Sequence, residues 1–325
     1  MIWLAWRQQR LALLALGGYA LVAIAVMVYH RFAMPAQLTD EELRLCAESL
    51  TASCRLSESG WNAASAFRET AEGVRFGLIG FAALAGLFLG APALAREWEQ
   101  HTHLLVLSQQ VGPRRWFAAK VAVIAVPATL GAALLGATYL WWTSGLGALA
   151  GSYERLQVRR FEVHPLALAS YTLFAVALGI VVGLAVRRVV PAMALTLAVW
   201  AGALYSVRWF VRPHYQTPVV STTPLTEAGQ TPADRGRWTI GHGYADRTGD
   251  FVDVDTALEI ERACRAASTD QVGQCMAGHG LVKRAALVHP GDRFWLFQGI
   301  EATLFTVLSA ALVIGAMWWL RKRFR

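Results

Sequence analysis

Residues 166–207 read LALASYTLFAVALGIVVGLAVRRVVPAMALTLAVWAGALYSV, and their only charges are Arg187 and Arg188. The two apolar blocks, Leu166–Val186 and Val189–Val207, hold 21 and 19 residues. About 20 apolar residues in a helix cross a ~30 Å hydrocarbon core. Inside a bilayer the backbone must satisfy its own hydrogen bonds, so each block reads as a transmembrane helix. The Arg-Arg pair is then a tight polar turn between two spans.

The rest of the chain repeats the pattern. Of 325 residues, 55% are hydrophobic and 16% are charged, against about 25% charged in a soluble domain. Thirteen tryptophans and 28 glycines agree with a bilayer protein. Four more apolar blocks stand out: Leu11–Tyr29, Phe76–Leu94, Val121–Trp142 and Phe294–Leu320. With its entry, the third span occupies 118–142. The fold class is therefore an all-α polytopic membrane protein with six transmembrane helices. No small-residue cleavage site closely follows the first block, so it reads as a retained span rather than a signal peptide.

Charge sets the expected orientation. Basic residues in short loops stay cytoplasmic. With both termini cytoplasmic, Met1–Arg10, Ala95–Lys120, Arg187–Arg188 and Arg321–Arg325 lie inside. They hold twelve of the 30 basic residues and only two acids, Glu97 and Glu99. The basic balance thus reflects topology, and no basic–aromatic patch supports nucleic-acid binding. Tryptophans fall near both expected interfaces: Trp3, Trp6, Trp116, Trp318 and Trp319 inside, Trp141, Trp142, Trp209 and Trp295 outside. The short outer loop with Arg155, Arg159 and Arg160 departs from the rule.

Residues 30–75, 143–165 and 208–293 are then outside, and 321–325 form a basic cytoplasmic tail. The first outer segment has helical periodicity. The largest, 208–293, forms an extracytoplasmic domain between spans five and six. It begins extended, continues as a strand–turn–strand in GRWTIGHGYADRTGDFVDV, and then forms a helix, DTALEIERACRAA, with Asp255 as N-cap. All four cysteines fall outside. Disulfides persist in oxidising space, and four cysteines allow three pairings. Proximity favours Cys46–Cys54 and Cys264–Cys275. Free thiols are the alternative. A zinc site lacks a C-x-x-C pair and a suitably spaced histidine. His242, His279 and His289 are isolated and read as surface or packing residues.

Small-xxx-small pairs, Gly86/Gly90 and Gly179/Gly183, allow close approach of helix backbones, within one chain or between copies. Pro127 should kink the third span. An acid inside a span is expensive and faces a bundle interior or cavity. Glu301, near Gln298, is the one such acid. It reads as a substrate contact, a proton-linked group or a gate, as an outer-interface residue if the span starts late, or as half of an ion pair.

No Walker motif is present; GLGALAGS (145–152) lacks the lysine. Neither H-E-x-x-H nor G-x-S-x-G occurs. The chain has no nucleotide or metal cofactor of its own and is no enzyme by itself. The stretch REWEQHTHLLVL (96–107) continues the second span as helix, with Glu97 and Glu99 near the membrane exit and leucines on one side. GPRRW (112–116) then breaks it. Such a helix lies on lipid or docks a cytoplasmic partner.

Several stretches resemble type-2 ABC transporter permeases of the kind frequent in actinobacteria. MIWLAWRQQR (1–10) is similar to that family's amphipathic elbow. AREWEQHTH and VGPRRWFAAK (95–103 and 111–120) resemble its first cytoplasmic loop. HPLALASYTLFAVALGIVVGLAVRRVVPAMAL (164–195) resembles spans four and five, and DRFWLFQGIE with WWLRKR the last span. The family usually has glycine where His101 precedes Thr102.

The resemblance implies a homodimer in the plasma (inner) membrane of a bacterium, in contact with lipid. It implies two copies of a separate ATPase subunit that bind ATP and Mg. Residues 95–117 would be the coupling helix, with Glu97, Glu99, Thr102, Leu105, Pro113 and Arg114 on the ATPase. Cys264–Cys275 would brace a cap over the exit. Glu301 and Gln298 would line the path of a hydrophobic or amphipathic substrate moved outward by alternating access. The competing expectation is a non-transporting sensor or scaffold with a ligand-binding outer domain.

Overall fold

The computed structural model describes residues 2–33, 38–39, 57–100, 113–144, 156, 158–224, 237–267 and 272–323. The chain falls into two units: residues 1–151, 161–207 and 298–325, and residues 152–160 with 208–297.

The first unit is helical. It contains α1 (Ile2–Ala33), α2 (Glu58–Glu99), α3 (Pro113–Ser144), α4 (Pro165–Val186), α5 (Val189–Ser206) and most of α8 (Phe294–Arg323). Each of the six is long and apolar enough to cross a membrane.

Two helices are longer than their apolar blocks. Of the segment 1–10, expected as an elbow, residues 2–10 are continuous with the first span in α1, because no glycine or proline interrupts residues 2–16. Similarly, α2 starts eighteen residues before its apolar block, where Ser57 caps it by accepting from Gly60 N–H at 3.1 Å. The coupling-helix segment 95–117 is shared between the end of α2 and the start of α3. Residues 101–112, with Thr102 and Leu105, lie outside the described residues.

The core is built on α2 and α4. Their meeting is a seam of glycines. A Cβ added at Gly179 would lie 2.5 Å from the Gly86 carbonyl oxygen, and one at Gly183 would lie 2.3 Å from that of Ala91. The backbones touch because no side chain stands between them. Both small-xxx-small pairs are thus used within the chain. At the seam α2 widens into a π-helical stretch, Ala85–Gly90, where Ala91 N–H bonds back five residues to Gly86 O. Pro92 explains the location, since it brings no N–H to the Phe88 carbonyl and the ladder must re-register. α3 continues through Pro127, which likewise leaves the Val123 carbonyl without its helical donor.

The second unit holds a four-stranded antiparallel sheet, order β1–β4–β2–β3. The strands are β1 (Val219–Pro224), β2 (Trp238–Ala245), β3 (Phe251–Asp253) and β4 (Lys283–His289). The expected strand–turn–strand is the β2–β3 hairpin. Its turn is held by Asp246 Oδ1, which accepts from the backbone N–H groups of Thr248, Gly249 and Asp250, with Gly249 at φ +94°. These bonds, the Thr248 hydroxyl first, hold the Asp246 carboxyl below its ordinary range.

Two helices, α6 (Val254–Ala267) and α7 (Val272–Gly278), follow. Asp255, expected as the cap of α6, lies in its first turn. Asp253 does the capping instead, accepting from Asp255 N–H at 3.1 Å. Cys264 of α6 is bonded to Cys275 of α7, with Cα atoms 5.7 Å apart. Cys46 and Cys54, expected to pair, lie outside the described residues.

Candidate functional site

The last turn of α2 carries two acids, Glu97 and Glu99. Glu97, Trp98 and Glu99 are consecutive, so each points about 100° from the next around the helix. Each engages a different neighbour. Glu97 is 6% exposed and ion-pairs with Lys120 of α3, itself 3% exposed. The Lys120 ammonium also lies 5.1 Å from the centre of the Trp116 ring. Trp98 receives the Arg187 guanidinium 4.7 Å from its ring centre. Glu99 Oε2 accepts from Val189 N–H at 3.2 Å, capping the start of α5, where a carboxylate suits the helix dipole.

Arg187 is itself unusual. It ends α4 with φ +60°, a conformation that favours glycine, and its N–H bonds to the Gly183 carbonyl. A left-handed non-glycine residue costs about 1–2 kcal/mol. The Trp98 contact helps to offset that cost and holds the α4–α5 turn against α2.

Of the residues expected on a partner surface, Glu97 is therefore inside the bundle, and Glu99 is half of a helix cap. Pro113 and Arg114 open α3. Sequence reasoning missed Lys120 and Trp98 as participants, because opposite charges 23 residues apart carry no local signal of contact.

A second polar cluster lies within the bundle. Glu301 is 1% exposed and sits on α8, seven residues past its start, a rise of about 10 Å. Tyr171, at a similar distance into α4, donates its hydroxyl to Glu301 Oε1. The Tyr171 ring meets Phe305 edge-on at 5.0 Å. Trp200 of α5 donates its indole N–H to the Tyr171 carbonyl at 3.2 Å. Gln298, fully buried one turn before Glu301, donates to the Phe161 carbonyl at 2.8 Å. Its Oε1 has no hydrogen-bond partner among the described residues. Glu301 is a buried acid that ties α8 to α4. Tyr171 was missed because tyrosines also occur in other spans, such as Tyr19 and Tyr139, and mark no site by themselves.

A third charged group, Arg75, is also buried. It bonds Glu72 at 2.9 Å and approaches Glu162 at 3.8 Å.

In the second unit His289 is buried between Trp238 and Phe297, with ring centres 5.5 and 5.0 Å away. Arg293 can only donate, so His289 Nδ1 accepts from it at 3.2 Å, and Nε2–H donates to the Pro213 carbonyl at 3.0 Å. Burial lowers its pKa below the ordinary histidine value. His289 is a packing residue. His279 lies near the cystine, but the two sulfurs are bonded to each other and are not available as thiolate ligands.

A family model described as ABC-2 membrane transporter related matches residues 17–212. The chain belongs to that family. No curated protein is detectably similar in sequence. The match covers α2, α3, α4 and α5 entire, and with them the contacts of Glu97, Trp98 and Glu99. ABC-2 permeases are membrane components without an ATPase of their own, and they generally work with an ATPase partner. The chain is a multi-pass membrane protein and a transporter permease subunit in this general sense.

Proposed function

We propose that the chain is the permease of an ATP-driven exporter, moving a hydrophobic or amphipathic substrate outward, and that a separate ATPase subunit binds ATP and Mg and drives it. The observation that carries this reading is the last turn of α2, where three consecutive side chains grip α3, the α4–α5 turn and the start of α5. On the orientation expected from charge, residues 101–112, which follow that turn in sequence, are cytoplasmic, where an ATPase can dock. A push on that segment is delivered to three helices at once.

Docking then rests on Thr102, Leu105, Pro113 and Arg114, while Glu97 and Glu99 transmit motion. Two copies of the permease with two ATPase subunits, in a bacterial plasma membrane, would alternate between inward- and outward-open states. ATP drives this cycle through its different affinity for the two states. Glu301 and Gln298 serve as path or gate residues, and the acceptor of Gln298 is the polar atom ready for a passing substrate or water.

Pull-down of the full chain from native membranes tests the reading. A co-purifying ATPase with a Walker motif is the expected outcome. In proteoliposomes of that complex, Glu97→Gln should lower permease-stimulated ATP hydrolysis while the complex still assembles. No ATPase in the pull-down, together with ligand binding to the sheet-bearing unit, would favour a sensor or scaffold.

A further inference from the structure

Between α1, α2 and α3 lies an apolar cleft of about 190 Å³. Its walls include Trp6, Leu13 and Gly17 of α1, Phe81 of α2, and Pro127 and Gly131 of α3. Apart from the Trp6 indole, the lining is hydrocarbon. The cleft exists because bulk is missing. A Cβ added at Gly17 meets nothing within 4 Å, and one at Gly131 only reaches the Phe81 ring at 3.4 Å. An apolar cavity of ~150 Å³ stays dry and takes up a benzene-sized ligand. This cleft is larger, and the solvent around α1 is lipid.

Its length and its charged end identify the occupant. The α1 wall runs from Trp6 to Ala20, about 21 Å of helix. One leaflet supplies about 15 Å of hydrocarbon. The Trp6 end therefore reaches headgroup level, while the far end lies near the midplane. Arg10 is on the same helical stripe as Trp6, Leu13 and Gly17, at steps of four, three and four, and it is exposed. Arg7, also exposed, stands beside it with its guanidinium 5.4 Å from the Trp3 ring centre. A greasy slot opening beneath a cation matches an acyl chain beneath a phosphate.

We propose that this cleft binds one acyl chain of an anionic phospholipid, with the phosphate at Arg10. The proposal rests on the six-span reading and is independent of export and of any ATPase. The lipid is a resident that fills the gap between α1 and α3; it is not substrate in transit.

Native mass spectrometry of the full chain in detergent tests it, with added phosphatidylglycerol or phosphatidylcholine of identical chains. The wild-type chain should retain one phosphatidylglycerol in preference to phosphatidylcholine. Gly17→Leu, which fills the slot, should lower retention of both lipids at least about tenfold, since each buried methylene is worth roughly fourfold. Arg10→Gln should lower phosphatidylglycerol retention about fivefold and leave phosphatidylcholine unchanged. Gly202→Leu on α5, where an added Cβ also meets nothing within 4 Å, should change neither.

If Gly17→Leu fails to fold, Ala20→Leu blocks the same wall. A folded slot-filling variant that keeps wild-type lipid retention overturns the proposal. So does an altered oligomeric state without lipid loss, which would give the cleft to a second copy. Equal loss of both lipids in Arg10→Gln overturns the headgroup assignment.

Discussion

Helices α1 and α4 are built from nearly the same alphabet and play opposite parts. The most apolar stretch of α1 has the highest mean hydropathy among the six candidate spans, yet only 11% of it is buried inside the chain. For α4 the share is 72%, and for α2, its partner, 67%. Apolarity places a helix in the bilayer; it does not choose the helix's neighbours. What separates the two is where the small residues lie. Gly179 and Gly183 of α4 meet glycine and alanine backbone of α2. In α1, Gly17 and Gly18 meet nothing within 4 Å. Within a bilayer, close packing of backbones replaces the hydrophobic drive that would bring soluble helices together.

The comparison can be broken first at the joint between the core helix α2 and the less buried α3. Lys120→Met leaves the Glu97 carboxylate buried without its cation and should cost about 3–5 kcal/mol. Thermal unfolding of the detergent-purified chain measures it, and adding Glu97→Gln should recover a good part. A paired glycine test is the next largest. Gly183→Ala drives a Cβ into the Ala91 carbonyl and should cost about 1–3 kcal/mol. Gly202→Ala, in the sparsely buried α5, should be neutral or slightly stabilising. Equal effects at the two glycines would mean that the seam does not organise the bundle.

Tyr171→Phe sharpens the comparison within α4. It keeps the aromatic contact with Phe305 and removes the hydroxyl from Glu301, for a loss of about 1.5–3 kcal/mol. Tyr171→Phe combined with Glu301→Gln should lose less than the two singles summed, as a double-mutant cycle reports for groups in contact.

The smallest effect lies outside both helices, in the sheet-bearing unit. His289 has a folded-state pKa below the ordinary value of 6.5. Its contribution to stability is therefore complete above about pH 6.5 and is lost as pH falls below it, because the unfolded chain takes up the proton first. His289→Gln should flatten that part of the stability–pH curve.

Much of the fold was legible because long apolar runs are a local signal. Six blocks gave six helices, and the cysteines eleven residues apart gave the Cys264–Cys275 bond. The β2–β3 hairpin was legible from its D-R-T-G-D turn. Its sheet partner β4 was not, since KRAALVH lacks alternation and pairs with β1, 59 to 69 residues away in sequence. The glycine pairs were visible as motifs, but their choice of partner was not. The ion pair Glu97–Lys120 and the bond between Tyr171 and Glu301, 130 residues apart, depend on how whole helices pack. The acids were noticed because charge in a span is rare. Their partners were not, because a lysine at a span's edge and a tyrosine within one are ordinary.

The π-helical stretch of α2 has a consequence for aim. A π turn carries one residue more than an α turn, so everything beyond it is rotated by about 100° relative to an uninterrupted helix. Glu97, Trp98 and Glu99 face Lys120, Arg187 and Val189 because Ala85–Gly90 sets their phase. Removing a single residue from that stretch would leave the membrane span long enough and the glycines small enough. It would nonetheless turn all three side chains to a bearing where none of their partners stands.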